Sequence, residues 1–170
     1  MILTEVHVSS PIGRFIAAVD AHGSVRAARF VDGGEAPPPD PSEGRAAGEL
    51  RARLAAYFDG EVTALLGVPV APDGTAFQTQ VWHTLQQSPP GQTMSYGALA
   101  AHLGLHGHEA ARAVGAANAA NPIALIIPCH RVIAADGRLL GYAWGVERKR
   151  WLLCHEADNA VACPSQGLLL

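Results

Sequence analysis

The chain has 170 residues, enough for one good core or for two small units packed together. Hydrophobic residues make up 49% and charged residues 16%, which fits a globular protein and excludes general disorder, and no apolar run approaches the roughly 20 residues of a membrane helix. The net charge of −3 argues against a strongly basic nucleic-acid binder, but residues 1–76 set six arginines against ten acids, whereas residues 77–156 set six basic residues against four acids, so the second half retains a modest positive balance.

The start, MILTEVHVSSPIGRF, lacks the basic and apolar segments of a secretory signal, so a cytoplasmic location and no membrane partner are expected. Leu3–Val8 alternates as a strand does. Ser9–Gly13 reads as a turn, Phe15–Val19 as a second strand, Ala21–Gly23 as a turn and Val25–Phe30 as a third strand. Residues 33–44 hold four prolines and three glycines and read as a loop. Leu50, Leu54 and Tyr57-Phe58 repeat at helical spacing within 45–58. Residues 1–72 are thus expected to form a small domain with an antiparallel sheet and a helix.

Residues 73–156 read as a mostly helical domain, and 157–170 as a tail. Phe77, Val81, Trp82 and Leu85 share one helix face, with Thr75 as a possible cap and Pro89-Pro90 as the stop. SYGALAAHLG follows as a short helix with Ser95 at its N-cap and Gly104 past its end, and HEAARAVGAANAAN as an Ala/Gly-rich one. Two short helices joined by a glycine-containing turn point to a helix-turn-helix, and the whole to an α/β (α+β) fold whose second domain is winged-helix-like. Gly115 in mid-helix costs about 1 kcal/mol against alanine. Close approach to a nucleic acid and tight helix packing are both reasons to accept that cost. GVERKRWLLCHE is the last helix, with Trp151 and Leu152 expected on its core side.

The chemistry is concentrated at IIPCHRVI. There are three cysteines and no CxxC pair, so neither a thiolate metal site nor a disulfide framework is expected. The default for any one cysteine is a small buried hydrophobe. Cys129 departs from that default because His130 follows it directly. A thiol attacks as thiolate and needs a base, which in turn needs an orienting group. Adjacent residues of a strand face opposite ways, so the pair works only in a turn, which Pro128 favours. Glu156 is the best carboxylate to orient His130, since the last helix can fold back onto that turn. Cys154-His155 competes for the role, but consecutive helical side chains diverge by about 100°.

These residues, with FQTQVWHTLQ, PPGQTMSYGALA, AARAVGAANAANP, GYAWG and RKRWLLCHE in the same order, resemble the O6-alkylguanine-DNA alkyltransferase family over about residues 75–156. The resemblance implies irreversible transfer of an alkyl group from O6-alkylguanine, and from O4-alkylthymine, to Cys129, once per molecule and without cofactor or metal. It implies that His130 and Glu156, with a water, stabilise the thiolate, and that Tyr96 protonates the leaving guanine. Asn121 would tie the cysteine turn to the recognition helix. Arg112 would fill the gap left by the flipped nucleotide. Ala111, Ala113 and Gly115, with Ser95, would meet the minor groove of double-stranded DNA. Val132, Tyr142, Ala143 and Trp144 would line the substrate pocket, and the protein would act as a monomer. Three features depart from the family: the turn GLHGHE is about two residues longer and lacks a proline, Ser88 replaces an apolar residue, and Ala143-Trp144 stands where some members have serine and glycine. Trp144 is accordingly expected to narrow the pocket. Two rival readings are a non-catalytic sensor of alkylated DNA and a Cys-His-Glu thiol hydrolase.

Overall fold

The computed structural model describes residues 1–160, and Cys163 and the end of the expected tail lie outside the described residues. The chain divides into two compact units, one of Met1–Asp73 with Pro122–Ile126, the other of Gly74–Asn121 with the chain from Ile127 onward.

In the first unit β1 (Leu3–Ser10), β2 (Gly13–Asp20) and β3 (Val25–Val31) form an antiparallel sheet in the order β1-β2-β3. The registers Val6↔Ala17, Val8↔Phe15 and Phe15↔Phe30 put apolar side chains in line across one face. Helix α1 (Arg45–Phe58) covers that face with Ala47, Leu50, Leu54, Tyr57 and Phe58. Phe15, Phe30 and Phe58 meet edge to face at 4.9–6.4 Å. Pro122–Ile126 joins this unit, unlike the continuous boundary expected at residue 72. Ala28 bridges Ile123, donates to the Pro122 carbonyl and accepts from Ala124 N–H, each at 3.0 Å.

The second unit begins with α2 (Ala76–Gln86). Its start is sealed by a capping box in which Thr75 accepts from Gln78 N–H and the Gln78 side chain returns to Thr75 N–H. Val81, Trp82 and Leu85 are buried, and the Trp82 indole donates to the Ala117 carbonyl at 2.8 Å. Strand β4 (Met94–Ser95) runs into α3 (Tyr96–His102), where the Ser95 hydroxyl accepts from Ala98 N–H. The long turn then reaches α4 (His108–Ala119) through Gly104 and Gly107, at φ 74° and 98°. These two left-handed glycines let the longer link close without a proline. Helices α3 and α4 pack on each other as the expected helix-turn-helix.

Cys129–Arg131 form a single 3₁₀ turn that leads into β5 (Val132–Ile133), parallel to β4 with Met94 opposite Val132. Helix α5 (Val146–Asn159) runs three residues past the point where the tail was expected to begin. Its inward positions are Lys149, Leu152 and Glu156. Trp151, expected in the core, is half-buried and stacks on His155, with ring centroids 4.5 Å apart. No described helix is long and apolar enough to cross a membrane.

Candidate active site

Cys129 sits at the start of the 3₁₀ turn, 4% exposed, beneath a pocket of about 280 Å³. The pocket is lined by Tyr96 from α3, Gly115, Asn118 and Ala119 from α4, and Gly141, Tyr142 and Ala143 from the loop before α5. The turn is fixed from two sides. Asn121, just past α4, donates to the Ile127 carbonyl at 2.8 Å and is also hydrogen-bonded to the thiol. Asn118 donates to the Cys129 carbonyl at 3.3 Å.

The turn brings the imidazole of His130, fully buried, onto Glu156, with Nε2 2.8 Å from Oε1. Its other nitrogen, Nδ1, is buried without a hydrogen-bond partner among the described residues. Arg131 grips the same carboxylate, Nε to Oε2 and Nη2 to Oε1, each 2.9 Å. The third guanidinium nitrogen donates to the Ser88 carbonyl at 2.5 Å. Ser88 is 1% exposed, and its hydroxyl donates to the Leu85 carbonyl and lies 3.3 Å from Arg131. A serine therefore suits this buried position, because it adds an acceptor to a buried cation.

Burial pushes the Cys129 thiol up to about 11, against the pull of the Asn121 hydrogen bond and the charge of Lys149. Burial likewise holds the His130 imidazole below its ordinary value, with Glu156 opposing. At Glu156 burial acts upward, but the charges and hydrogen bonds of His130 and Arg131 overcome it, and the carboxyl stays well below the usual carboxylate range. Burial and the neighbouring Cys129 raise the Tyr96 phenol. The resting site thus holds a protonated thiol, a neutral imidazole, an ionised Glu156 and a phenol that keeps its proton.

The structure brings Cys129, His130, Glu156, Asn121 and Tyr96 to one site. Tyr142 and Ala143 line the pocket, whereas Val132 and Trp144 do not. Val132 is fully buried, and its N–H donates to the Cys129 carbonyl within the turn. The Trp144 indole packs edge-on against Tyr142, centroids 5.2 Å apart. Arg112 and Ala113 are exposed on α4, Ala111 and Gly115 half-buried, and Ser95 caps α3. Sequence reasoning missed Lys149, 1% exposed, whose ammonium donates to the carbonyls of Val132 (2.7 Å), Leu140 (3.0 Å) and Gly141 (3.4 Å), tying the pocket loop to β5. It also missed Arg131 and Asn118. Among the described residues no three His, Cys, Asp or Glu side chains are grouped to hold a metal.

Fold and site set one buried thiol at a pocket, with a histidine and an ion pair packed behind it. The family model for the 6-O-methylguanine DNA methyltransferase DNA binding domain matches residues 76–158. A methylated-DNA–protein-cysteine methyltransferase of Salmonella typhimurium is 55% identical over 109 residues, 64% of this chain and 63% of that protein, so under two thirds of that relative's length is matched. A protein of the same name from Mycobacterium tuberculosis is 45% identical over 161 residues, 91% of this chain and 93% of its own. The crystal structure of Mycobacterium tuberculosis O6-methylguanine methyltransferase superposes with a TM-score of 0.78 at 39% identity, covering 95% of this chain and 97% of that one. A structure of the Mycobacterium tuberculosis protein in complex with DNA gives the same TM-score at 41% identity, covering 93% and 95%. The chain belongs to the methylated-DNA–protein-cysteine methyltransferase family.

Proposed function

We propose that this protein repairs DNA by direct reversal, taking the alkyl group of O6-alkylguanine, and of O4-alkylthymine, onto Cys129. The observation that carries the reading is the thiol at a pocket whose walls include a protonated phenol, with a neutral imidazole fixed behind it. Cys129 Sγ attacks the alkyl carbon, the S–C bond forms as the C–O6 bond breaks, and the electron pair leaves with the base. His130 Nδ1 accepts the thiol proton through a water, Tyr96 gives its proton to the departing guanine, and His130 restores it. The net exchange is one proton for one alkyl group. A thioether is a poor leaving group, so each molecule reacts once. The partner is double-stranded DNA. The domain of residues 73–156 carries both site and DNA face, with α4 in the minor groove and Arg112 replacing the extruded nucleotide. The protein acts as a cytoplasmic monomer.

The test is the intact mass after incubation with a duplex bearing O6-methylguanine. A gain of one methyl on Cys129, lost in Cys129→Ser with DNA binding kept, supports repair. Binding without mass gain supports a sensor, neither supports a hydrolase, and turnover beyond one equivalent contradicts the single-reaction reading. Arg112→Ala should slow repair of the duplex more than reaction with free O6-benzylguanine, because a free base needs no flipping. Equal losses would place Arg112 outside that step.

A further inference from the structure

Arg131 is a buried cation for which the thiol, base and acid chemistry has no direct use. It is 5% exposed, and among the described residues the hydrogen bonds of its guanidinium go to two, Glu156 and Ser88. Oε1 of Glu156 receives both His130 Nε2 and Arg131 Nη2, so both of its lone pairs are engaged. A carboxylate held this way does not draw the proton from the imidazole. His130 therefore keeps its proton on Nε2, facing Oε1. The opposite tautomer would set a bare nitrogen against an anionic oxygen. The nitrogen left unprotonated is Nδ1, the buried atom without a hydrogen-bond partner among the described residues.

We propose that Arg131, anchored on Ser88, is a positioning residue for alkyl transfer: it keeps Glu156 ionised and fixed, so that His130 stays in the tautomer whose Nδ1 receives the thiol proton. The proposal rests on the alkyl-transfer reading above. Other groups around the pair do not replace it. Lys149 acts on His130 and Cys129 but spends its hydrogen bonds on backbone carbonyls. Tyr142 feels the charge of Glu156 and keeps its proton. Without Arg131 the carboxylate loses its bidentate cation, and burial favours the protonated acid. A protonated Glu156 no longer dictates which imidazole nitrogen carries the proton.

The test is the single-turnover rate of methyl uptake from an O6-methylguanine duplex, read by intact mass across about pH 5 to about pH 9. The proteins are the full-length wild type, Arg131→Lys, Arg131→Met, Glu156→Gln and the Arg131→Met/Glu156→Gln double variant. Arg131→Met should move the acid limb up by about one pH unit or more while the rate recovers toward alkaline pH. Arg131→Lys, which keeps a charge but loses the bidentate fork, should shift less and keeps the test alive if the methionine variant does not fold. The double variant should react no more slowly than Glu156→Gln alone. An unchanged acid limb with a uniform loss of rate, or a double variant showing the full product of both losses, would overturn the proposal. A wild type that gains no methyl group would overturn the alkyl-transfer reading with it. A reacting wild type with unshifted variants overturns this proposal alone.

Discussion

Gly115 of α4 faces the ring of Tyr96 on α3 so closely that a Cβ on the glycine would lie 3.4 Å from Tyr96 Cδ1 and 3.6 Å from Cε1. Both residues line the pocket above Cys129. Mid-helix glycine is thus matched to an aromatic neighbour, which is the packing reason left open by the sequence. A methyl at 3.4 Å is an ordinary contact, so Gly115→Ala should fold well and gain about 0.5–1 kcal/mol from the lost backbone freedom of glycine. The same methyl takes space beside the phenol, so alkyl transfer should slow by about threefold to tenfold, a rise of roughly 1 kcal/mol in the barrier. Thermal unfolding and single-turnover rates on one preparation check both. A faster variant, or a less stable one, would contradict the argument.

The resting state of the thiol gives a labelling prediction. With its proton held up to about 11, Cys129 is almost entirely protonated at pH 7. Cys154 is exposed. A small haloacetamide at neutral pH should therefore modify Cys154 well before Cys129, and the Cys129 rate should keep rising as pH climbs toward 11. Peptide mapping by mass after timed labelling reads both. Preferential labelling of Cys129 would mean that its thiolate is held ionised before substrate arrives, and that the proton need not move during the reaction.

The Cys-His-Glu arrangement was legible because it rests on local signals. Adjacency placed His130 beside Cys129, proline placed both in a turn, and a helix returning along the chain placed Glu156 within reach. Thr75 and Ser95 were legible as caps for the same reason. The two buried cations were not. Nothing local distinguishes Arg131 or Lys149 from a solvated surface charge, because each is buried by partners distant in sequence, Ser88 for one and Val132 for the other. On α5 the inward line is Lys149-Leu152-Glu156, so hydrophobicity misplaced Trp151 where polar contacts decided the face. Pro122–Ile126 was illegible for a related reason. Its apolar run ends in a turn with Leu125 at φ 69°, and its bridge to Ala28, far off in the sequence, ties it to the first unit.

Acid should unfold the protein in two stages. The imidazole of His130 is held below its ordinary 6.5 and the carboxyl of Glu156 below its ordinary 4.5, so both bind protons more readily in the unfolded chain. Their contributions are complete above those unfolded values. As pH falls, the His130 share fades first, below 6.5, and the Glu156 share follows below 4.5, each continuing down through its folded value. The urea midpoint should accordingly decline from pH 6.5 downward. Glu156→Gln should cost about 3–5 kcal/mol at neutral pH, since Arg131 is left buried without its anion, and should flatten the lower stage. A midpoint independent of pH down to 4.5 would contradict the assignment of His130, and one that stays flat on further acidification below 4.5 would contradict that of Glu156.

Trp144 stands two residues beyond Tyr142, a position from which an indole was expected to narrow the pocket. It lies instead edge-on against the Tyr142 ring, and its carbonyl accepts from Arg148 at 3.0 Å, which fixes the backbone there at the start of α5. The pocket wall at this point is Gly141, Tyr142 and Ala143. Removing the indole therefore opens no space beside the base, and takes away only a support of Tyr142. An edge-to-face pair contributes about 0.5–1.5 kcal/mol, so Trp144→Gly should lower stability by about that or somewhat more, glycine adding its own backbone cost. The ratio of O6-benzylguanine to O6-methylguanine rates should stay within about threefold of wild type, less than 1 kcal/mol of discrimination. Side-by-side single-turnover rates on the two substrates decide it. A selective gain for benzyl in the glycine variant would put the indole back in the substrate's path, and would mean that Tyr142 and Trp144 move together when a base enters.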